Sequence, residues 1–315
     1  MHATLGFKPR LATFTRGARG MQEVGLVNHT AGIIWPLEAC VPPAQAPLVS
    51  GGMQALIANW EVIEPLINVA GGAQGLQLSN VQLLAPIPRP AGTIMCVGKN
   101  YLDHVKEVDS ASTMTNITAS GAPAAPIIFT KAAGSVVGPD MPIVYPAGVS
   151  EEVDYEGELA VVIGKGGRNI PRGEALKHVF GYTVANDVTA RDLQRKHQQW
   201  FIGKSLDGFC PMGPWLVPAA YVDGTDLAIT CSVNGEVRQS GRTSMMIFPV
   251  DELIATISAG ITLHQGDIIL TGTPAGVGSS FKPPKFLRPG DVVRVEVEGV
   301  GCLENTVVGA TAASL

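Results

Sequence analysis

Two glutamates, Glu156 and Glu158, lie in a strand-like run at residues 153–164 that continues as Leu-Ala-Val-Val-Ile-Gly. Side chains alternate between the two faces of a β-strand, so both carboxylates are predicted to leave it on one face. Neighbouring buried carboxylates repel each other unless a cation neutralises them. The pattern predicts a divalent metal site. The alternative is an edge strand whose solvated acidic face also carries Glu152 and Asp154.

Asp187 offers a third carboxylate for this site. It follows a second strand-like run, residues 179–185, and could close a three-carboxylate site with Glu156 and Glu158. Oxygen ligands alone favour hard ions over zinc. We therefore expect a hard divalent ion such as Mg²⁺, Ca²⁺ or Mn²⁺.

A histidine and a glutamate follow the apolar run at residues 94–97. If the intervening turn is helical, His104 and Glu107 share one face, and Glu107 can orient and polarise the imidazole as a general-base pair. An ordinary surface pair is the alternative. Lys204 lies in a Gly-Lys-Ser context between aromatic segments, which suggests a partly enclosed site, the alternative being a solvated lysine. Lys131 is a weaker candidate of the same kind.

Five motifs occur in the order seen in the fumarylacetoacetate hydrolase superfamily: Gly98-x-Asn100-Tyr101-x-x-His104-x-x-Glu107, Asp154-Tyr155-Glu156-x-Glu158-Leu159, Asn186-Asp187-Val188-Thr189-Ala190-Arg191-Asp192, Gly203-Lys204-Ser205 and Thr271-Gly272-Thr273-Pro274-x-Gly276-Val277-Gly278. The chain resembles this superfamily over roughly residues 85–308. Within this superfamily, the chain most resembles the branch called fumarylacetoacetate hydrolase domain-containing protein 2.

The resemblance implies a mixed β-roll fold, a homodimer and a Mg²⁺ or Mn²⁺ ion on Glu156, Glu158 and Asp187. It further implies that Lys204 stabilises an oxyanion or enolate and that a mobile lid carries the water-activating pair, His104 and Glu107. Three more positions match residues that hold substrate oxygens: Arg191, Gln194 and Thr273.

These roles predict a metal-dependent hydrolase that cleaves a C–C bond in a 1,3-dicarbonyl substrate of the acylpyruvate or β-diketo acid type. A chelated metal ion and a nearby ammonium would stabilise the developing enolate charge. The same site could serve an oxaloacetate keto–enol tautomerase or a β-keto acid decarboxylase, and the branch resemblance favours the tautomerase. A non-catalytic binding module is the remote alternative.

The chain departs from the family pattern at residues 108–125, a segment longer than small-substrate relatives would lead us to expect. Because it follows His104 and Glu107 directly, we expect it to form much of the lid over a larger or unusual substrate.

The elements that must position these residues are mostly short strands with Gly and Pro between them, which predicts an α+β, mostly β fold. The proline-rich run at residues 85–90 predicts a boundary between a small N-terminal α/β module, residues 1–88, and a fumarylacetoacetase-like catalytic domain, residues 89–315. Helices are predicted at residues 53–63, 173–179 and 250–258, and Asn234-Gly235 predicts a hairpin turn.

The composition excludes several classes of function. The net charge is −5 at pH 7, and no Lys/Arg run suggests a nucleic-acid or membrane partner. Five scattered cysteines without a C-x-x-C pair indicate reduced thiols. We expect a cytoplasmic protein acting on a small molecule. A basic N-terminus without an acid before Glu23 suggests a mitochondrial transit peptide as the alternative to a first strand at residues 11–15.

Overall fold

β-Strands form most of the regular structure. A computed structural model describes residues 6–17, 20–69, 73–108 and 117–309. The strands in these ranges are β1 Arg10–Thr15, β2 Glu23–Asn28, β3 Ile33–Pro36, β4 Leu76–Gln77, β5 Gln82–Leu83, β6 Ile94–Gly98, β7 Ile127–Lys131, β8 Val136–Val137, β9 Ile143–Tyr145, β10 Val153–Asp154, β11 Gly157–Ile163, β12 Val179–Asn186, β13 Thr189–Ala190, β14 Cys210–Pro218, β15 Ala228–Val233, β16 Glu236–Arg242, β17 Ile268–Leu270, β18 Val292–Val297 and β19 Gly301–Gly309.

The helices are short and lie between the strands. In the same ranges they are α1 Pro47–Ser50, α2 Met53–Ile63, α3 Leu102–Glu107, α4 Arg172–Ala175, α5 Arg191–His197, α6 Phe201–Lys204 and α7 Val250–Ser258. None of the helices in the described part of the chain has the length and apolarity needed to span a bilayer.

A large mixed sheet carries the site. Its strand order is β4-β3-β2-β1-β14-β12-β11-β17-β6-β7, with β5 beside β1 and β8 beside β14. Strand β11 is buried on both faces because each face packs into a different hydrophobic core. Leu159 and Val161 pack into one core, whereas Ala160 and Val162 pack into the core that contains α2. The mostly β, mixed-sheet fold class is confirmed.

A second sheet, in the order β16-β15-β18-β19-β9, contributes the other wall of the first core. Strand β18 alternates buried and exposed residues, as expected for a sheet with one face in water. Asn234 and Gly235 join β15 to β16 with φ angles of 52° and 80°, so the predicted hairpin is confirmed.

The N-terminal strands extend the large sheet, because Leu11 of β1 pairs with Leu216 of β14. The division at residues 88 and 89 stays a prediction. The strand expected at residues 11–15 is present as β1, whereas the transit-peptide alternative falls partly on residues 1–5, 18 and 19, which lie outside the described ranges.

The helix predictions at residues 53–63 and 250–258 are confirmed by α2 and α7. The third helix was predicted too long. It ends at Ala175, continues as a 3₁₀ turn to His178 and gives way to β12, where Val179 pairs with Ile163. Pairing with β11 therefore overrides the helical pattern at Val179.

Candidate active site

Three buried carboxylates converge where β11 begins and β12 ends. Glu156, Glu158 and Asp187 each offer an oxygen, and these atoms all lie within 4.8 Å of one another. Glu158 lies on β11 opposite Ala185 of β12, and Asp187 follows that strand. The antiparallel register thus brings Asp187 close to Glu156 and Glu158, which precede it in the sequence by 29 positions or more.

The acidic run was predicted as one strand, and this detail is wrong. It breaks at Tyr155 and Glu156, between β10 and β11. The Glu156 N–H donates to Asn186 Oδ1 (3.0 Å), and the Glu156 carbonyl accepts from the Asp187 N–H (2.8 Å). The break turns the Glu156 side chain towards Asp187 independently of strand alternation. It also leaves Asp154 outside the three-carboxylate group.

Two lysines neutralise part of this negative charge. Lys204 Nζ donates to Glu156 Oε2 and to Asp187 Oδ2, both at 2.7 Å. Lys131 Nζ donates to Asp187 Oδ1 (2.6 Å) and to the carbonyl of Val188 (3.1 Å). Both lysines are almost fully buried, so the solvated alternative for Lys204 is wrong and the weaker candidate, Lys131, belongs to the site.

Arg191 and Gln194 form the next layer. Arg191 Nε donates to Asp154 Oδ2 (2.8 Å), and its Nη2 atom lies 2.7 Å from Glu156 Oε1 in an ion pair without hydrogen-bond alignment. Arg191 Nη1 donates to Gln194 Oε1 (3.3 Å). In this structure Arg191 therefore binds protein carboxylates, and its role in holding substrate oxygens, like that of Gln194, stays a prediction.

The pKa values of Glu156 and Glu158 are shifted in opposite directions. Burial, together with the negative charges of Asp187 and Glu156, raises the pKa of Glu158 well above its usual range. Burial also acts to raise the pKa of Glu156, but the positive charges of Lys204 and Arg191 outweigh it and hold that pKa below its usual range. Of the three carboxylates, Glu158 is the one for which no described residue supplies an ion pair.

A divalent ion fits this donor set. When ionised, the connected buried cluster has one more carboxylate than it has cations: Asp154, Glu156, Glu158 and Asp187 against Lys131, Lys204 and Arg191. Three carboxylate oxygens at short mutual distance suit a hard ion such as Mg²⁺. The uncompensated charge at Glu158 gives such an ion an electrostatic reason to bind there.

The predicted histidine and glutamate pair is formed on α3. His104 Nδ1 lies 2.8 Å from Glu107 Oε1, and His104 is only 5 % exposed. Glu107 also accepts from the Gly276 N–H (2.8 Å). Burial acts to raise the pKa of Glu107, but the hydrogen bonds from His104 and Gly276 outweigh it and hold that pKa below its usual range. Glu107 therefore ties the helix that carries His104 to the loop after β17.

Thr273 lies on the same loop, with its hydroxyl already bonded. Its Oγ1 donates to the carbonyl of Gly157 (3.0 Å) and accepts from Gln239 Nε2 (2.7 Å). Gln239 also accepts from the Gly157 N–H (2.9 Å). The sequence analysis missed Gln239, and the signal was weak: it is a single amide in a polar hairpin strand whose burial depends on the distant Thr273 loop.

Asn100, which sequence reasoning treated only as part of a motif, holds these segments together. Its Nδ2 donates to the carbonyls of Thr271 (2.7 Å) and Phe248 (3.0 Å), and its Oδ1 accepts from the Phe248 N–H (2.8 Å). The amide side chain thus connects the start of α3 to the loop after β17 and the segment before α7.

The long segment after Glu107 is described only from residue 117. Residues 109–116 lie outside the described ranges. Ile117 and Pro123 form an isolated bridge, and the Thr118 N–H donates to the carbonyl of Ala122 (2.8 Å). This part forms a tight local loop, and its role as a lid stays a prediction.

We expect Gly276→Ala to destabilise the protein by about 1–3 kcal/mol. Gly276 has φ +108°, and an added Cβ would overlap the Arg238 carbonyl oxygen. The loop would then shift and move the N–H that binds Glu107. Urea denaturation measures the loss. Gly173→Ala is the control because its Cβ would meet open space, and equal stability of the two variants would contradict the prediction.

Comparison with known proteins agrees with this geometry. Residues 93–308 match the family model of the fumarylacetoacetate (FAA) hydrolase C-terminal domain. The chain is 50% identical over 307 residues, 95% of this chain and 91% of the relative, to "Oxaloacetate tautomerase FAHD2A, mitochondrial" of Bos taurus. It is 50% identical over 231 residues, 73% of this chain and 74% of the relative, to "Oxaloacetate tautomerase YisK" of Bacillus subtilis (strain 168).

A solved structure extends the likeness to the whole fold. The fumarylacetoacetate hydrolase from the psychrophilic Exiguobacterium antarcticum is 40% identical, with a TM-score of 0.80 over 96% of this chain and 100% of that chain. The family model alone spans more than half of the sequence. The chain therefore belongs to the fumarylacetoacetate hydrolase family and is an enzyme of that superfamily.

Proposed function

We propose that the chain catalyses the keto–enol tautomerisation of oxaloacetate with a divalent metal ion, Mg²⁺ or Mn²⁺. The observation that carries this proposal is 50% identity, across 95% of the chain, to a protein named as an oxaloacetate tautomerase. This similarity favours the tautomerase alternative over the C–C hydrolase that the motifs first suggested.

The charge of the site suits a dianion. With all four carboxylates ionised around a divalent ion, the cluster of four carboxylates and three cations would carry a net charge of +1. An anionic 2-oxo acid would be attracted to such a site and would find Lys204 there as a second positive group. A buried ammonium stabilises developing negative charge on an oxygen more strongly than one in water does.

His104 is the group that can move the proton. Glu107 is ionised and only accepts hydrogen bonds, so the shared hydrogen belongs to His104 Nδ1, and Nε2 is the ring nitrogen left to exchange a proton with the substrate. His104 Nε2 takes a proton from the methylene carbon between the keto group and the neighbouring carboxylate, and the protonated ring gives it to the enolate oxygen. Lys204 stabilises the negative oxygen meanwhile. When bound, the metal ion supplies Lewis-acid polarisation of the substrate oxygens.

C–C hydrolysis of an acylpyruvate or β-diketo acid is the second candidate, favoured by the same His104–Glu107 pair. A base at this place could activate water as well as remove a proton from carbon. Decarboxylation of a β-keto acid would use the same stabilised enolate. A non-catalytic binding module does not account for the buried acidic centre with its adjoining base.

The test is to incubate the protein and Mg²⁺ with oxaloacetate, following the enol absorbance, and with a panel of acylpyruvates, following product masses. We expect rapid keto–enol conversion that His104→Gln slows by about 100- to 10,000-fold. His178→Gln is the matched control, because His178 is only partly buried and its Nδ1 atom binds the Lys165 carbonyl. If the protein splits an acylpyruvate into two carbon fragments but does not accelerate the keto–enol conversion of oxaloacetate, the tautomerase proposal is wrong and the hydrolase takes its place.

We also propose that the protein is a homodimer in the cytoplasm. The family resemblance supports the dimer. The five cysteines are all free, as expected for a reducing compartment. Light scattering at micromolar concentration should give twice the mass of the chain, and a monomer would contradict the proposal.

A further inference from the structure

Tyr101 is a buried phenol whose hydroxyl makes no hydrogen bond in the described structure. The residue is only 2% exposed, and its Oη atom is buried without a partner. A hydroxyl taken out of water without a partner costs about 1–3 kcal/mol. Phenylalanine would fill nearly the same volume without this cost. The hydroxyl therefore calls for an explanation outside packing.

The backbone of Tyr101 is held beside the carboxylate site. The residue directly precedes α3, the helix that carries His104, and forms an isolated bridge with Met246. The preceding residue, Asn100, is bonded to the carbonyl of Thr271. The next residue after Thr271, Gly272, donates its N–H to Glu158 Oε2 (2.7 Å). Tyr101 thus belongs to the segment that is tied directly to the wall of the site.

The electrostatics relate the Tyr101 hydroxyl to the same centre. Burial, and then the negative charge of Glu158, raise the pKa of Tyr101 above its usual range. The phenol therefore keeps its proton at neutral pH and is available as a donor. The described residues offer this donor no acceptor, so it is free to donate to a bound ligand.

We propose that the Tyr101 hydroxyl donates a hydrogen bond to an oxygen of the 2-oxo acid bound at the carboxylate centre. This inference rests on the proposed function and deepens it, because it assigns a substrate-binding residue to that site. The donor helps to hold a carbonyl or carboxylate oxygen of the substrate. Its contribution to binding an anion corresponds to roughly a tenfold change in affinity or more.

The test uses Tyr101→Phe and the oxalate dianion, which presents two adjacent oxygens like the end of a 2-oxo acid. Titration calorimetry measures Mg²⁺ binding first and oxalate binding to the Mg²⁺-loaded protein second. We expect the variant to bind Mg²⁺ as the wild type does but oxalate about tenfold more weakly. Without oxalate, its Tm should equal or exceed that of the wild type, since the substitution removes an unsatisfied buried group.

Tyr182→Phe is the matched control. Tyr182 is also buried, but its side chain has a hydrogen-bond partner in the backbone of Gly224. This control should lower the Tm and leave oxalate binding unchanged. The opposite pattern for Tyr101→Phe, a lower Tm with unchanged oxalate affinity, would overturn the inference and show a purely structural hydroxyl.

The inference and the proposed function fail separately. If the wild type binds oxalate in a Tyr101-dependent way but does not convert oxaloacetate, the proposed function is wrong and the binding role of Tyr101 stands. If the Mg²⁺-loaded wild type binds no oxalate, the inference is overturned. Normal oxalate binding by Tyr101→Phe with full conversion of oxaloacetate would overturn the inference alone.

Discussion

Glu158→Gln should abolish tight binding of the divalent ion and lower turnover at least about 100-fold, more than is usual for loss of a group that only supports a metal ligand. The amide keeps the size of the side chain and can still accept from the Gly272 N–H, which now binds Glu158 Oε2 at 2.7 Å. It carries no charge and relieves the repulsion from Glu156 and Asp187. The substitution therefore separates metal binding from folding.

Two measurements check this expectation. Chelation should stop turnover of the wild type, and added Mg²⁺ or Mn²⁺ should restore it and raise its Tm, because the ion binds the folded state. The Tm of Glu158→Gln should not respond to the ion. Glu152→Gln is the control, since this carboxylate pairs with Arg195 near the surface. Full turnover of metal-stripped Glu158→Gln would refute the metal assignment.

Asp187→Asn should lower the free energy of unfolding by about 3–5 kcal/mol, the usual cost of removing one partner from a buried ion pair. Asp187 accepts from both Lys131 and Lys204, and its side chain is fully buried. The substitution removes the negative charge that the buried ammonium groups of Lys131 and Lys204 share. Turnover should also be lost, because the substitution removes one of the three carboxylates that we propose hold the metal ion.

Urea denaturation of the metal-free protein isolates the ion-pair contribution from metal binding. Asp226→Asn is the control, because Asp226 also pairs with a cation, Arg242, but in water. That variant should change stability little, since solvent screens the pair. Wild-type stability of Asp187→Asn would mean that Lys131 and Lys204 are not held as charged groups by this carboxylate.

Local patterns were sufficient for several features. The spacing of His104 and Glu107 requires only a helical turn, which α3 provides. The apolar periodicity of α7 and the Asn234-Gly235 turn depend on neighbouring residues, so they could be predicted before any long-range contact was known. The order of the motifs indicated the family, and the short strand-like segments with Gly and Pro between them predicted the mostly β fold class.

Long-range register decided the rest of the site. Lys131 reaches Asp187 across 56 positions, and Gln239 reaches Thr273 across 34. Neither contact has a local signature, because each depends on which strands become neighbours.

The break before β11 shows the same limit within one segment. Alternation predicted Glu156 and Glu158 on one face, but Glu156 is placed by hydrogen bonds with Asn186 and Asp187 on another strand and its following loop. The sequence by itself determined which chemical groups the protein has and which short elements carry them. Only the tertiary structure decided which charges meet in the interior and which hydroxyl, that of Tyr101, is left for a ligand, because pairing energies are set by distance and burial.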